Sequence, residues 1–286
     1  MFNKMLIVIL LGLFGSLGTA LPIEETNLTG FFTQRIIGGV DAPKGYAPHM
    51  VALVGGTFFI SVGCGGSIIS TKVVLTAAHC ITFYVVDGKI SPNFHGRVGS
   101  NQWNSGGIVV EFSDYNIHPN YDAKYLKYDV GVLLLKEHLN LNDKVAIIAL
   151  DYERIDGRHQ NYVTGWGVTG PRYEDNVVHL APTPEDLQLL YVETISYEQC
   201  AKDMHAATLV WGRAPPINPE VEICTLHSRR HGMCNGDSGS ALVSIKHGRQ
   251  IGIVSWGFPC ALGVPDVFVR ISGVKHYLDE ILRSLA

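Results

Sequence analysis

Short apolar, β-branched runs recur along the chain at residues 50–54, 66–70, 73–76, 108–112, 130–135, 162–164, 241–245, 250–255 and 267–271. Gly-Gly, Asp-Gly and Ser-Gly pairs stand between many of them. Runs of this length bounded by such breakers predict strands. Their density, without long helical patterns between them, predicts an all-β barrel or sandwich rather than a wound α/β sheet. One segment differs. Over residues 276–284, with Leu285 beyond, Tyr277, Leu278, Ile281 and Leu282 fall on a helical period. They predict a single amphipathic helix packed on the body at the chain's end. No repeat at fixed period and no low-complexity block interrupts this pattern.

The first apolar run, residues 5–17 behind Lys4, is too short for the roughly 20 residues that span a bilayer. It ends in Gly18-Thr19-Ala20, small residues placed for a cut after Ala20, so residues 1–20 read as a secretory signal peptide. No other segment is long and apolar enough to span, which implies an exported product without stable membrane association. The 286 residues are 47% hydrophobic and 17% charged, which excludes a disordered chain. The net charge of −4, with a pI near 6.3, argues against nucleic acid as a partner.

Export changes the meaning of the six cysteines, Cys64, Cys80, Cys200, Cys224, Cys234 and Cys260. In an oxidising route an even count implies three disulfides, with fifteen pairings open. Neither a CxxC nor an HxxxH spacing is read as a zinc signal, and no metal is expected. Residues 21–35 hold Asn27-Leu28-Thr29, a glycosylation acceptor at Asn27. They end in Arg35, followed by Ile36-Ile37-Gly38-Gly39, a basic residue ahead of an apolar start that would suit a processing cut.

Three places carry chemistry. Thr76-Ala77-Ala78-His79-Cys80 sets a histidine directly after a strand. Tyr128-Asp129-Val130-Gly131 puts a carboxylate at the mouth of a very apolar strand, where burial needs a partner. Cys234-Asn235-Gly236-Asp237-Ser238-Gly239-Ser240 holds a serine between glycines, free to turn sharply and to aim an N–H at a ligand. Singly, each has a bland reading: a packed core histidine, a turn-capping aspartate, a glycine loop. Jointly they are a base, an orienting acid and a hydroxyl nucleophile.

The order His79, Asp129, Ser238, carried by TAAHC, DVGVLLL, the GWG of residues 165–167 and GDSG, resembles the chymotrypsin-like serine proteases over residues 36–286. The resemblance implies two six-stranded antiparallel β-barrels with the site between them, a boundary within residues 136–162 and a C-terminal helix. The N-terminal strand and that helix would each cross to the opposite barrel. It implies catalysis by Ser238, His79 and Asp129, with the N–H groups of Gly236 and Ser238 as oxyanion donors and Ser255 beside the acid. Cutting after Arg35 by a trypsin-like activator would free the Ile36 amine to pair with Asp237, making residues 21–35 a propeptide and 36–286 the protease. Family pairings would join Cys64 to Cys80, Cys200 to Cys224 and Cys234 to Cys260. Protein or peptide substrates and protease inhibitors are the implied partners of a monomer without cofactor.

For specificity, the same alignment sets Gly232 on the pocket floor, Met233 in its lining, Ser255, Trp256 and Gly257 along one wall, and Asp266 where most members have Gly. This pattern is closest to invertebrate chymotrypsin-like and collagen-cleaving members, and some elastases share it. An exposed Asp266 would admit Arg or Lys beside Phe, Tyr and Leu; a shielded one would leave an apolar pocket, and chymotrypsin-like cleavage with breadth is the favoured reading. Three departures stand out. Ser240-Ala241 replaces the usual Gly-Pro, the calcium loop near residues 99–107 lacks its carboxylates, and residues 81–95 and 205–222 form long rim segments. The rival class is a catalytically silent homologue acting in binding or immunity, disfavoured because every triad member is present.

Overall fold

The computed structural model describes residues 36–56, 59–174, 177–180, 183–258 and 260–284. Residues 1–20, read above as a signal peptide, the 21–35 segment with Asn27 and Arg35, and Leu285 lie outside them. Twelve strands build two barrels. The first comprises β1 (Met50–Gly55), β2 (Ser61–Ile68), β3 (Val73–Thr76), β4 (His95–Val98), β5 (Ile108–Ile117) and β6 (Gly131–Leu135). These close antiparallel in the order β1-β2-β3-β6-β5-β4.

The second comprises β7 (Gln160–Gly165), β8 (Gln188–Ile195), β9 (Glu222–Leu226), β10 (Ala241–Ser244), β11 (Arg249–Gly257) and β12 (Asp266–Arg270). Their order is β7-β8-β9-β12-β11-β10, closed by pairing of β7 with β10. The two barrels therefore share one topology, a repeat of connection rather than of sequence. Closure removes the unpaired edges that an open sheet would expose.

Inward positions fill each barrel. Val51, Leu53, Leu75, Val98, Leu133 and Leu135 are buried in the first. Val163, Leu190, Val192, Ile223, Leu242, Ile251 and Phe268 are buried in the second, where Ile36 joins the same cluster. Both termini of the described chain cross over. Val40–Asp41 pairs with Leu189 and Gln188 of β8. The last helix places the Tyr277 hydroxyl on the Asn116 carbonyl of β5 at 2.9 Å.

The predicted C-terminal helix spans Lys275–Ser284, with Tyr277 and Leu278 buried. It is not the only helix, which corrects the sequence reading. Helix α1 (Ala78–Tyr84) follows β3 directly, α2 (Tyr197–Trp211) lies between β8 and β9, and the C-terminal helix becomes α3. In α2, Ser196 caps the start by accepting the Gln199 N–H, and Cys200, Met204 and Ala207 form its buried stripe. That stripe is small and contains a bridged cysteine, so its period is faint in the sequence. Residues 205–211 of the 205–222 rim segment are thus helix, while the 81–95 segment carries a hairpin of Val85–Val86 and Lys89–Ile90. Strands β4, β8 and β9 were also not anticipated; HGRV, QLLYVETI and EICTL lack a clean β-branched run.

Candidate active site

His79 sits in the first turn of α1, immediately after β3, and Asp129 ends the loop that feeds β6. Ser238 lies in the loop between β9 and β10 of the other barrel. Disulfides brace this frame: Cys64–Cys80 ties β2 to α1, Cys200–Cys224 ties α2 to β9, and Cys234–Cys260 ties the serine loop to the segment after β11. Bridges closing loops of this length typically contribute a few kcal/mol each.

Asp129 is fully buried. Its Oδ1 accepts the His79 backbone N–H at 2.9 Å. Its Oδ2 faces His79 Nδ1 at 2.8 Å and accepts the Ser255 hydroxyl at 2.6 Å. Three partners on one buried carboxylate offset its desolvation and fix the imidazole plane. A carboxylate on Nδ1 selects the tautomer with the proton on Nδ1, leaving Nε2 as the basic nitrogen. Nε2 lies 3.7 Å from Cys80 Sγ. Ser238 Oγ has no hydrogen bond among the described residues, to His79 or otherwise. In an empty site this contact is often long and tightens on substrate binding.

The serine loop is wedged against the first barrel. The Ser238 carbonyl accepts the Gly65 N–H at 2.7 Å. Gly239 has φ +81°, and a Cβ there would stand 2.2 Å from Thr76 Oγ1 and 2.3 Å from the Gly65 carbonyl. Only glycine fits that crossing of β2, β3 and the loop. Gly236, at φ +101°, makes the preceding turn. The N–H groups of Gly236 and Ser238 have no acceptor among the described residues, while that of Asp237 bonds the Cys234 carbonyl at 3.1 Å.

Asp237 points the other way, into the second barrel. Its fully buried carboxylate accepts N–H groups from Gly167 at 2.8 Å and Cys234 at 3.0 Å. The GWG motif serves this carboxylate, since a Cβ on Gly167 would come within 2.3 Å of Asp237 Oδ2. Burial pushes its pKa up from 3.8 to about 7, against the pull of the two N–H donors. No cation among the described residues offsets it. Nearby, Ile36 is wholly buried, and the Ile37 carbonyl accepts the Gly232 N–H at 3.1 Å. The segment starting at Ile36 is thereby tied to the strip leading into the serine loop.

Beside Ser238 opens a cavity of about 140 Å³, lined by Met233, Cys234, Asn235, Val254, Ser255, Trp256, Gly257, Phe258, Cys260 and Asp266. Asp266 is 9% exposed, and its Oδ2 accepts the Met233 N–H at 3.0 Å. A Cβ on Gly232 would stand 2.9 Å from that oxygen, and one on Gly257 3.3 Å from Oδ1. The two glycines thus open the space in front of the carboxyl group. Burial raises the Asp266 pKa to about 7, only partly countered by the Met233 N–H. Strand β10 pairs with β11 only as far as Ile253, whereas β11 continues to Gly257, leaving an open strand edge over Ser255–Gly257.

Of the predicted site residues, the structure joins Asp129 to His79 and Ser255, and sets Ser238, Met233, Ser255, Trp256, Gly257 and Asp266 on one cavity, with Gly232 against Asp266. Sequence reasoning missed Glu222, which accepts the Trp256 indole N–H on the pocket wall, and Lys127, which bonds Glu222; a lysine two residues before Asp129 was the available signal. One grouping of possible metal ligands is Asp151, Glu153 and His247, where Asp151 Oδ2 faces His247 Nδ1 at 2.5 Å. Among the described residues, Cys64, His79 and Cys80 cluster, but both sulfurs are in the bridge. His227 and His231 do form an HxxxH spacing, a correction to the sequence reading, with rings stacked at 4.4 Å and each Nδ1 on Ser228 Oγ. Ser240, where the usual glycine is absent, buries its hydroxyl without a hydrogen-bond partner among the described residues. Ser240→Ala is expected to raise stability by ~1 kcal/mol with unchanged kinetics, read by urea denaturation and peptide hydrolysis.

A family model described as Trypsin matches residues 36–278. Chymotrypsin-2 of Vespa crabro is 33% identical over 250 residues, covering 87% of this chain and 99% of its own. Hypodermin-B of Hypoderma lineatum is 32% identical over 252 residues, covering 87% and 88% respectively. Trypsin 5G1 of Aedes aegypti is 31% identical over 252 residues, covering 86% and 85%.

Proposed function

The chain belongs to the trypsin family and is a serine endopeptidase, and from that premise we propose that Ser238, His79 and Asp129 carry its reaction. The observation that carries this reading is Asp129, buried between His79 Nδ1 and Ser255 Oγ. His79 Nε2 takes the Ser238 proton as Oγ attacks a peptide carbonyl, then returns it to the leaving amine. Asp129 holds the tautomer and stabilises the imidazolium. The developing oxyanion meets the free N–H groups of Gly236 and Ser238; one such donor is worth about 3 kcal/mol of barrier. Water then releases the acyl group by the same relay. The open edge of β11 at Ser255 and Gly257 pairs with the substrate as an added strand. Labelling by a serine-directed phosphonate, lost in Ser238→Ala, tests the assignment; equal labelling of both would overturn it.

Synthesis as a secreted zymogen fits the apolar run of residues 5–17, the family match that begins at Ile36, and a buried Asp237 lacking a cation among the described residues. A trypsin-like protease cuts after Arg35, the Ile36 amine pairs with Asp237, and the released enzyme acts as a monomer open to protease inhibitors. Among the described residues no helix is long and apolar enough to cross a membrane.

Specificity follows from Asp266, neither freely exposed nor paired with a cation. Below about pH 7 its carboxyl is neutral and the pocket takes Phe, Tyr or Leu ahead of the cleaved bond. Above that pH the carboxylate attracts Arg or Lys and penalises apolar side chains. The ratio of kcat/KM for Arg over Phe substrates is expected to rise about tenfold from pH 5.5 to 8.5, and to stay flat in Asp266→Gly. The catalytic steps are common to both substrates, so the ratio isolates the pocket.

A further inference from the structure

Glu222 on β9 is 3% exposed yet carries a charge that the catalytic steps do not use. Its carboxylate receives Lys127 Nζ on both oxygens at 2.7 Å, the Trp256 indole N–H on Oε1 at 2.8 Å and the Asn218 N–H on Oε2 at 2.6 Å. Lys127 Nζ also lies 5.1 Å from the centroid of the Trp256 ring, within reach of a cation–π contact. The pair joins three parts of the cleft: the first-barrel loop ending in Asp129, the loop between α2 and β9, and the β11 edge. Leu126 and Tyr128, which flank Lys127, have φ of +49° and +51°, a conformation that non-glycine residues hold only when their surroundings impose it.

A buried ion pair is a poor source of stability, because desolvation of both charges consumes most of the attraction. What this one supplies is position. Trp256 lies between Ser255 and Gly257 on the open strand edge and lines the cavity beside Ser238. Its indole is pinned at the N–H by a carboxylate that the ammonium in turn anchors to the opposite barrel. We infer that Glu222 and Lys127 are positioning residues that hold the Trp256 ring where residues ahead of the scissile bond would pack, and so set affinity for extended apolar peptides. This rests on the endopeptidase reading with β11 as the substrate edge.

The test replaces both charges at once, Glu222→Met with Lys127→Met, since removing one alone strands the other. For a peptide reaching four residues ahead of the cleaved bond, KM should rise about tenfold with kcat within twofold. For a single-residue aromatic ester the change should stay below twofold. Glu222→Gln with Lys127→Met keeps an acceptor for the indole and should recover most of the lost affinity. In ¹⁵N-tryptophan-labelled Ser238→Ala protein, the Trp256 indole N–H should exchange slowly, and at least tenfold faster with both methionines present. Equal loss on the two substrates, or unchanged indole exchange in the folded double variant, would overturn the assignment. A parent enzyme that cleaves no peptide would instead defeat the endopeptidase reading, with the exchange measurement still deciding the role of the pair.

Discussion

Ser238→Ala in the activated enzyme is expected to lower kcat by about 10⁵–10⁶-fold while leaving stability within about 0.5 kcal/mol of the parent. The separation of the two effects is the informative part. Ser238 Oγ makes no hydrogen bond among the described residues, so its removal strands nothing. His79→Ala should cost nearly as much activity, and the double variant little more than either single one, because base and nucleophile act as one unit. Asp129→Ala should behave differently. It orphans the His79 N–H and Nδ1 and the Ser255 hydroxyl together, so stability falls as well as rate. Single-turnover hydrolysis beside urea denaturation reads both. Additive losses for Ser238 and His79 would exclude a shared proton transfer.

The uncut chain is expected to lose stability as pH rises from about 4 through 7, and cleavage after Arg35 should remove much of that loss. An unfolded Asp gives up its proton near 3.8, whereas buried Asp237 keeps it to about 7. Between those values the folded state binds more protons, so stability falls with rising pH and the cost is complete above 7. The shift amounts to at most ~4 kcal/mol. Asp266 adds a cost in the same window, but the cut supplies no cation to it. A freed Ile36 amine beside Asp237 would restore the carboxylate and hold the serine loop, whose Gly167 and Cys234 contacts run through that side chain. Urea unfolding of Ser238→Ala protein at pH 5 and 8, cut and uncut, measures the difference. Equal pH dependence of the two forms would rule out the pair. Ile36→Gly, correctly cut, should lose ~3 kcal/mol of burial and most of its activity.

Legibility differed by element. The runs at 50–54, 73–76, 130–135 and 250–255 were readable because their strands are apolar and bounded by turns, and each lies within a residue or two of a barrel strand. Strands β8 and β9 were not, since barrel closure, not local propensity, recruits QLLYVETI and EICTL. Helix α2 hid for a related reason, its buried face being only Cys200, Met204 and Ala207.

The sequence by itself determined the chemical parts: a histidine after a strand, a carboxylate entering an apolar strand, a serine between glycines, and six cysteines. Those are statements about residue type and near neighbours, which order along the chain preserves. Only the tertiary structure decided relations between residues distant in sequence. It set Asp129 on Ser255 across the barrels, left Asp237 buried without a cation among the described residues, and turned Asp266 into the pocket between Gly232 and Gly257. It also joined Lys127 to Glu222 beneath Trp256. Burial and partnership fix the charge a carboxyl group bears, and both arise only when the two barrels close and meet.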